Sequence, residues 1–324
     1  MEPPQVLTYE LLESITGGFS KENQIGSGSY GAVYLGTMPN GDKVAVKKFH
    51  DSSPARDDFN FKTEFDNLTR VHHPHIVKIV GYCYEEKKLN ELHQGRLVEV
   101  FKIYRVLCLE YLPKGSLKDY LSDGFYNLDW HTCYKIIKGI FEAIKYIHLE
   151  LGEAFYHLDI KPGNILLDEV VGAKLADFGL SKVFHERLTR TTDSSYGTRG
   201  YRPPEFVDRN HVSEKFDIFS MGVVVLELVT GPKCYLEIDD TPHPEFIDQA
   251  QKKWRAMLCQ KYKDSLLEAY CKQVEKCVEI GLKCAEKNRK MRPEIREIID
   301  QLNETESCIS MSDTVQRDKT TRST

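Results

Sequence analysis

Gly26-Ser27-Gly28-Ser29-Tyr30-Gly31, followed by Val33, has the spacing G-x-G-x-x-G-x-V. In that pattern, missing side chains let backbone N–H groups approach a phosphate. The spacing also suits an ordinary glycine turn, and a dinucleotide fold would need a helix directly after Gly31. Instead the next residues, Ala32-Val33-Tyr34-Leu35, are β-branched and aromatic, which predicts a second strand and hence a strand-loop-strand flap. Val44-Ala45-Val46-Lys47 predicts the next strand, and strand alternation puts Ala45 and Lys47 on one face and Val44 and Val46 on the other. Lys47 then points under the glycine flap. The plainer reading, a surface lysine, is disfavoured by the apolar strand that carries it.

The elements that must position these groups fall into two parts. Residues 22–112 read as strands rich in Val, Tyr and Ile around one helix, with Pro39-Asn40-Gly41-Asp42 as a hairpin turn. From Leu117 onward helical periodicity dominates, over Trp130–His148, Lys215–Thr230, Phe246–Cys259, Tyr270–Glu286 and Pro293–Glu304. Ser307–Thr324 is polar without apolar periodicity and is expected to be disordered. With 324 residues, 41% apolar and 29% charged, the chain is no collagen, low-complexity or wholly disordered protein. Its net charge of −5 gives no reason to expect nucleic acid or an anionic membrane as the main partner. Nine cysteines without a C-x-x-C pair read as reduced thiols, with Cys277 and Cys284 as small buried hydrophobes on one helix face rather than metal ligands. The apolar run Ile218–Val229 is interrupted by Glu227 and is too short for a membrane span. Met1-Glu2-Pro3-Pro4 has neither a basic leader region nor a myristoylation glycine, so a cytoplasmic location is expected, with any membrane recruitment through a partner.

His157-Leu158-Asp159-Ile160-Lys161-Pro162-Gly163-Asn164 resembles the eukaryotic protein kinase catalytic loop H-R-D-x-K-x-x-N, with leucine in place of the arginine. Asp177-Phe178-Gly179 comes thirteen residues after Asn164, and Pro203-Pro204-Glu205 stands where A-P-E closes the activation segment. Further runs are similar to the plant receptor-like, Pelle-related kinases: Phe19-Ser20, Val80-Gly81-Tyr82-Cys83, Gly115-Ser116-Leu117 and Gly197-Thr198-Arg199-Gly200-Tyr201. The absence of extracellular and membrane regions makes the chain resemble a receptor-like cytoplasmic kinase lacking the catalytic-loop arginine.

The resemblance implies an α+β bilobal kinase fold, with a small antiparallel β lobe holding one main helix and a larger, mainly α-helical lobe. Residues 1–21 would be an N-terminal extension, 22–302 the kinase domain (lobes 22–112 and 113–302), and 303–324 the disordered tail. Lys47 would hold the α- and β-phosphates of ATP with Glu64 as its ion-pair partner, although nearby Asp66 also offers a carboxylate. Asp159 would accept and orient the substrate hydroxyl, and Lys161 would stand near the γ-phosphate, as in serine/threonine kinases. Asn164 and Asp177 would be hard oxygen ligands for Mg²⁺, with Mn²⁺ as the substitute. Gly26, Gly28 and Gly31 would cover the phosphates. Ile25, Val33 and Ala45 would lie above the adenine and Leu166 below it, with Leu109 as gatekeeper and the backbone of Glu110 and Leu112 binding the base. His157, Phe178, Leu68 and Ile79 would be packing residues, Asp217 the anchor of the catalytic loop, and Glu205–Arg292 a structural ion pair.

The implied partners are ATP, protein substrates and an upstream membrane receptor. Glu85–Tyr104 is longer than the usual link between strands and reads as an exposed insertion. Two other classes compete: a pseudokinase scaffold, supported by Leu158, and a metabolic ATP phosphotransferase, disfavoured by the Pro203-Pro204-Glu205 motif and the helical region after it. Leu158 cannot pair with a phosphate, so phosphorylation of Thr189, Thr191, Thr192, Ser194 or Ser195 would have to use Lys182, Arg187 or Arg190. Thr198 is expected to bond the catalytic aspartate and lysine.

Overall fold

The computed structural model describes residues 3–28, 30–51, 53–93, 96–122, 128–184, 190–192, 196–231 and 243–321. The chain divides into two compact units, one of Met1–Pro113 with Asp177–Ser181 and one of Lys114–Ala176 with Lys182–Thr324. This division matches the expected β-rich and α-rich lobes, except that the Asp177 segment belongs to the first. Arg187, Thr189, Ser194 and Ser195 lie outside the described residues.

The first unit is built on one six-stranded sheet. Its strands are β1 (Gln5–Val6), β2 (Gln24–Gly28), β3 (Gly31–Thr37), β4 (Lys43–Phe49), β5 (Ile79–His93) and β6 (Arg96–Glu110), in the order β1-β5-β6-β4-β3-β2. Every pairing is antiparallel except β1 with β5. The helices are α1 (Tyr9–Ile15) and α2 (Pro54–Arg70). Thr8 caps α1 by accepting the Leu11 N–H at 3.2 Å, and the apolar spacing of Leu7, Tyr9 and Leu12 lets them join Val44, Val46, Cys83, Val106 and Cys108 in one buried cluster. Residues expected to form a separate extension are therefore part of this unit, which starts at β1 and not at residue 22. Gly81 permits it, because a Cβ there would stand 2.7 Å from the Gln5 carbonyl oxygen.

The expected insertion, 85–104, is the outer part of β5 and β6. The two strands stay paired from Tyr84 opposite Arg105 to His93 opposite Arg96, forming a ribbon whose Leu92 and Leu97 are exposed.

The second unit holds α3 (Leu117–Ser122), α4 (Trp130–Leu149), α5 (Pro204–Arg209), α6 (Lys215–Thr230), α7 (His243–Leu258), α8 (Asp264–Cys284) and α9 (Ile295–Thr321). Asp129 caps α4 by accepting the Thr132 N–H at 2.8 Å. The short strands β7 (Ala154–Tyr156), β8 (Ile165–Leu167), β9 (Ala173–Leu175), β10 (Lys182–Phe184), β11 (Arg190–Thr191) and β12 (His211–Val212) pair as β7 with β10, β8 with β9 and β11 with β12. Helix α6 is apolar on all sides and almost wholly buried, so its long apolar run is that of a core helix. Among the described residues no helix is long and apolar enough to cross a membrane. The crossing of α6 with α8 is close: a Cβ at Gly222 would meet Cys284 at 2.6 Å, and one at Gly281 would meet Leu226 at 2.9 Å. Cys277 and Cys284 are both buried and free, as expected for small hydrophobes.

The expected disorder beyond residue 303 is a correction. Helix α9 continues to Thr321, and its serines bond back to the preceding turn, Ser307 to Asn303 O, Ser310 to Glu306 O and Ser312 to Cys308 O. Lys138 ties the helix to α4 through Glu306.

Candidate active site

In the first unit, the β-sheet register aligns Val33, Lys47 and Leu107 on one face, with Leu35, Ala45 and Leu109 one step along. Lys47, 8% exposed, donates to Glu64 Oε1 at 2.7 Å and Oε2 at 2.6 Å and to Asp177 Oδ1 at 3.0 Å. Glu64 is buried on α2 while Asp66 is exposed, so the helix resolves the choice between these carboxylates in favour of Glu64. Burial alone would lower the Lys47 pKa, but Asp177 and Glu64 outweigh it and hold the ammonium above its ordinary value. Burial pushes the Glu64 carboxyl up, to about 7, with Lys47 opposing and Asp177 adding to the rise. The lysine thus keeps its proton while two carboxylates compete for it.

The segment Asp177–Ser181 is held from α2 by Asn67, whose amide donates to Phe178 O and Ser181 O, each at 2.9 Å. Asp177 takes the left-handed conformation at φ 65°, and a Cβ on Gly179 would crowd Glu64 Oε2 at 3.3 Å. Asn67 is the functional residue that sequence reasoning missed. Its signal was available: it lies three residues after Glu64, on the α2 face that also buries Phe61 and Leu68.

Strands β2 and β3 form the expected flap. Its three glycines differ in what requires them. A Cβ on Gly31 would stand 2.3 Å from the Lys48 carbonyl oxygen, so packing demands glycine there. At Gly28 a Cβ would meet nothing within 4 Å, and at Gly26 only Val33, nearest at 3.7 Å. Those two leave room on the flap, as a phosphate cradle requires. Ile25 is exposed, Val33 and Ala45 are half-buried, and Leu109 and Leu112 are buried. Glu110 accepts the Lys78 N–H at 2.7 Å, which fixes the end of β6.

In the second unit, buried Asp217 accepts the backbone N–H groups of His157 and Leu158 and bonds His148, all at 2.8 Å. Burial opposes its charge, but these bonds hold its pKa below the ordinary value. His157 accepts the Asp159 N–H on Nδ1 at 3.2 Å, so Nε2 carries the proton and donates to Ala176 O at 3.1 Å. Both ring nitrogens are committed to structure, in keeping with its expected packing role. Leu158 is fully buried at φ 65°.

This loop presents Asp159. Its Oδ1 accepts the Thr198 hydroxyl at 2.7 Å, and its Oδ2 accepts Lys161 Nζ at 2.7 Å and Asn164 Nδ2 at 3.0 Å. Lys161 also donates to Thr198 Oγ1 at 2.8 Å. A carboxylate offers about four acceptor positions, so three donors leave room on Oδ1 for a hydroxyl. Asn164 spends its N–H groups on Asp159, leaving its carbonyl oxygen as a hard donor suited to a divalent cation. Leu166, half-buried on β8, lies two residues on. Away from this cluster, Arg292 forms a bidentate pair with Glu205 at 2.7 Å on both arms, and its side chain is fully buried.

The chain matches the protein kinase domain family over residues 19–302. A probable leucine-rich repeat receptor-like protein kinase of Arabidopsis thaliana is 35% identical over 93% of this chain and 31% of its own length. A cysteine-rich receptor-like protein kinase of the same plant is 31% identical, over 92% of this chain and 43% of its own. A G-type lectin S-receptor-like serine/threonine-protein kinase, also from Arabidopsis thaliana, is 32% identical, over 92% and 35%. The chain thus spans less than half the length of these curated relatives. With the family's motifs assembled as a buried Lys47–Glu64 pair and a Thr198–Asp159–Lys161 cluster, this chain belongs to the protein kinase domain family.

Proposed function

We propose that the chain is an active serine/threonine protein kinase that transfers the γ-phosphate of Mg²⁺-ATP to protein hydroxyls. The family implies ATP and a divalent metal, and the residues present fit both. The observation that carries the reading is the Asp159 carboxylate, held on both oxygens by Thr198, Lys161 and Asn164 with acceptor capacity to spare. Phosphoryl transfer asks for positioning and charge neutralisation more than covalent help.

In this reading Asp159 orients the substrate hydroxyl and accepts its proton, and Lys161 balances charge beside it. Thr198 accepts from Lys161 and donates to Asp159, so one hydroxyl sets the position of both. Lys47, fixed by Glu64, holds the nucleotide phosphates, and Asn164 and Asp177 hold the metal. Bound Mg²⁺ supplies neutralisation of phosphate charge. Gly26, Gly28 and Gly31 form the flap, and Ile25, Val33, Ala45, Leu166 and the backbone of Glu110 and Leu112 hold the adenine. The scaffold reading rests on Leu158, yet that residue is buried and bonds Asp217, leaving the acceptor cluster whole.

The reading extends to receptor-linked signalling from a cytoplasmic position with recruitment by a membrane receptor, supported by the receptor-like relatives. Transfer of labelled γ-phosphate from ATP, with Asp177→Ala as control, tests the activity. Label in the wild type alone is expected; equal label in both, or none in either, contradicts it.

A further inference from the structure

On the sheet face opposite Lys47, a cavity of about 330 Å³ opens beside α1, the start of β3, the end of β4 and the middle of β6. Its lining includes Tyr9, Tyr34, Lys48, Asp51, Lys102 and Tyr104. The volume falls at the low end of the range for small-ligand sites, roughly 300–1,000 Å³. Strand register explains the lining. Ala32, Lys48 and Val106 stand side by side, while Lys47, one residue earlier, faces away.

Lys48 is half-buried and stands among rings. Its Nζ donates to the Tyr9 oxygen at 2.9 Å and lies 4.1 Å from the centroid of Phe19 and 5.3 Å from that of Tyr9. Among the described residues it forms no ion pair. The neighbouring cations are better supplied, since Asp51 lies 3.8 Å from Lys102 and Asp58 lies 3.3 Å from Arg105. Burial lowers the Lys48 pKa, and ring contacts only partly replace a counter-ion. Tyr9 keeps its proton, because burial pushes its phenol up to about 12. Its oxygen takes the lysine N–H, and its own O–H remains a donor. The cavity therefore offers Lys48 as a cation without an ion-pair partner, Lys102 in a long 3.8 Å pair with Asp51, a phenolic donor and aromatic walls, in a pocket of small-ligand size.

We propose that this cavity binds an aromatic anion, an aryl phosphate or aryl carboxylate, whose charged end pairs with Lys48 and Lys102 and whose ring packs against the tyrosines. The site is separate from the catalytic face and does not depend on the kinase reading. Phenyl phosphate and benzoate, titrated calorimetrically into the full chain with Mg²⁺-ATP present, should bind saturably, and inorganic phosphate or phenol much more weakly. Lys48→Met is expected to weaken both by at least about tenfold, the loss of one charge-assisted bond, while Lys48→Arg retains binding. Lys102→Met, a change at a half-buried side chain outside the core, should weaken both by about threefold. The proposal is overturned by any of these: no saturable binding, binding abolished by Mg²⁺-ATP, inorganic phosphate binding as tightly as phenyl phosphate, or full affinity in both lysine-to-methionine variants.

Discussion

Lys47 and Lys48 are neighbours on one strand and do opposite things. Lys47 is nearly buried between two carboxylates, while Lys48 lies on the reverse face against phenol and phenyl rings. Their difference comes from strand alternation and from what the rest of the unit brings to each face: α2 and the Asp177 segment to one, α1 to the other. A lysine's role here is therefore set by the elements that meet its strand, and the residue type alone does not reveal it.

The largest expected effect breaks the Lys47 side. Lys47→Met should reduce phosphotransfer by at least about 10³-fold in a folded protein, since it removes the charge that the phosphates need. A variant retaining more than about a tenth of the wild-type rate would remove Lys47 from its assigned role.

Stability should depend on pH in that same variant. Glu64 has a pKa raised by burial, to about 7, above the 4.5 of an ordinary glutamate. A raised carboxyl binds its proton more tightly when folded, so its contribution is present below the unfolded value and is lost as pH rises through the folded one. Without the ammonium, ionised Glu64 is buried and uncompensated, which costs about 3–5 kcal/mol. Lys47 opposes that rise, so its removal lifts the Glu64 pKa further, and the folded variant keeps a proton that wild type sheds between about pH 6 and pH 8. Lys47→Met should therefore lose more stability, relative to wild type, at about pH 8 than at about pH 6. Urea midpoints at the two pH values check this, and an equal loss at both contradicts it.

Thr198→Val removes a two-way hydroxyl and should lower turnover by about 10²-fold with little change in nucleotide affinity. Phosphatase-treated wild type should keep most of its initial rate, because Leu158 offers no charge to match a phosphate. Recovery of a vanished rate only after rephosphorylation of the activation segment would contradict this. Asn67→Ala removes two bonds to Phe178 and Ser181 and should cost about 1–3 kcal/mol by thermal melts, with a smaller rate loss than Thr198→Val. Smallest of all, Lys48→Met should shift stability by less than about 1 kcal/mol, because no carboxylate is left unpaired; a loss comparable to that of Lys47→Met would erase the contrast.

Much of this was legible in the sequence because phosphate chemistry fixes residue types at fixed spacings. The flap, Lys47, the loop around Asp159 and the helix Lys215–Thr230 all stand where the pattern put them. Where reading fell short, long-range partners decided. Gly31 looks like its two motif companions, but the Lys48 carbonyl oxygen is what requires it. Asn67 reads as one more polar helix residue until the Asp177 segment lies against it. Leu7, Tyr9 and Leu12 sit in a stretch too short to show a period against the rest, and only the sheet they cover marks them as core. The last helix is polar enough to suggest disorder, yet serine-to-carbonyl bonds and the Lys138–Glu306 pair accompany it beyond residue 303.

The central claim is that Asp159 serves an active serine/threonine kinase. It is tested most directly by phosphoamino-acid analysis of a protein substrate labelled from γ-labelled ATP, with wild type beside Asp159→Asn and nucleotide affinity measured on both. The account predicts label on serine and threonine, a fall of at least about 10³-fold in Asp159→Asn, and nearly unchanged ATP affinity. Label on tyrosine alone, equal label from both proteins, or a large loss of ATP affinity in Asp159→Asn would contradict it.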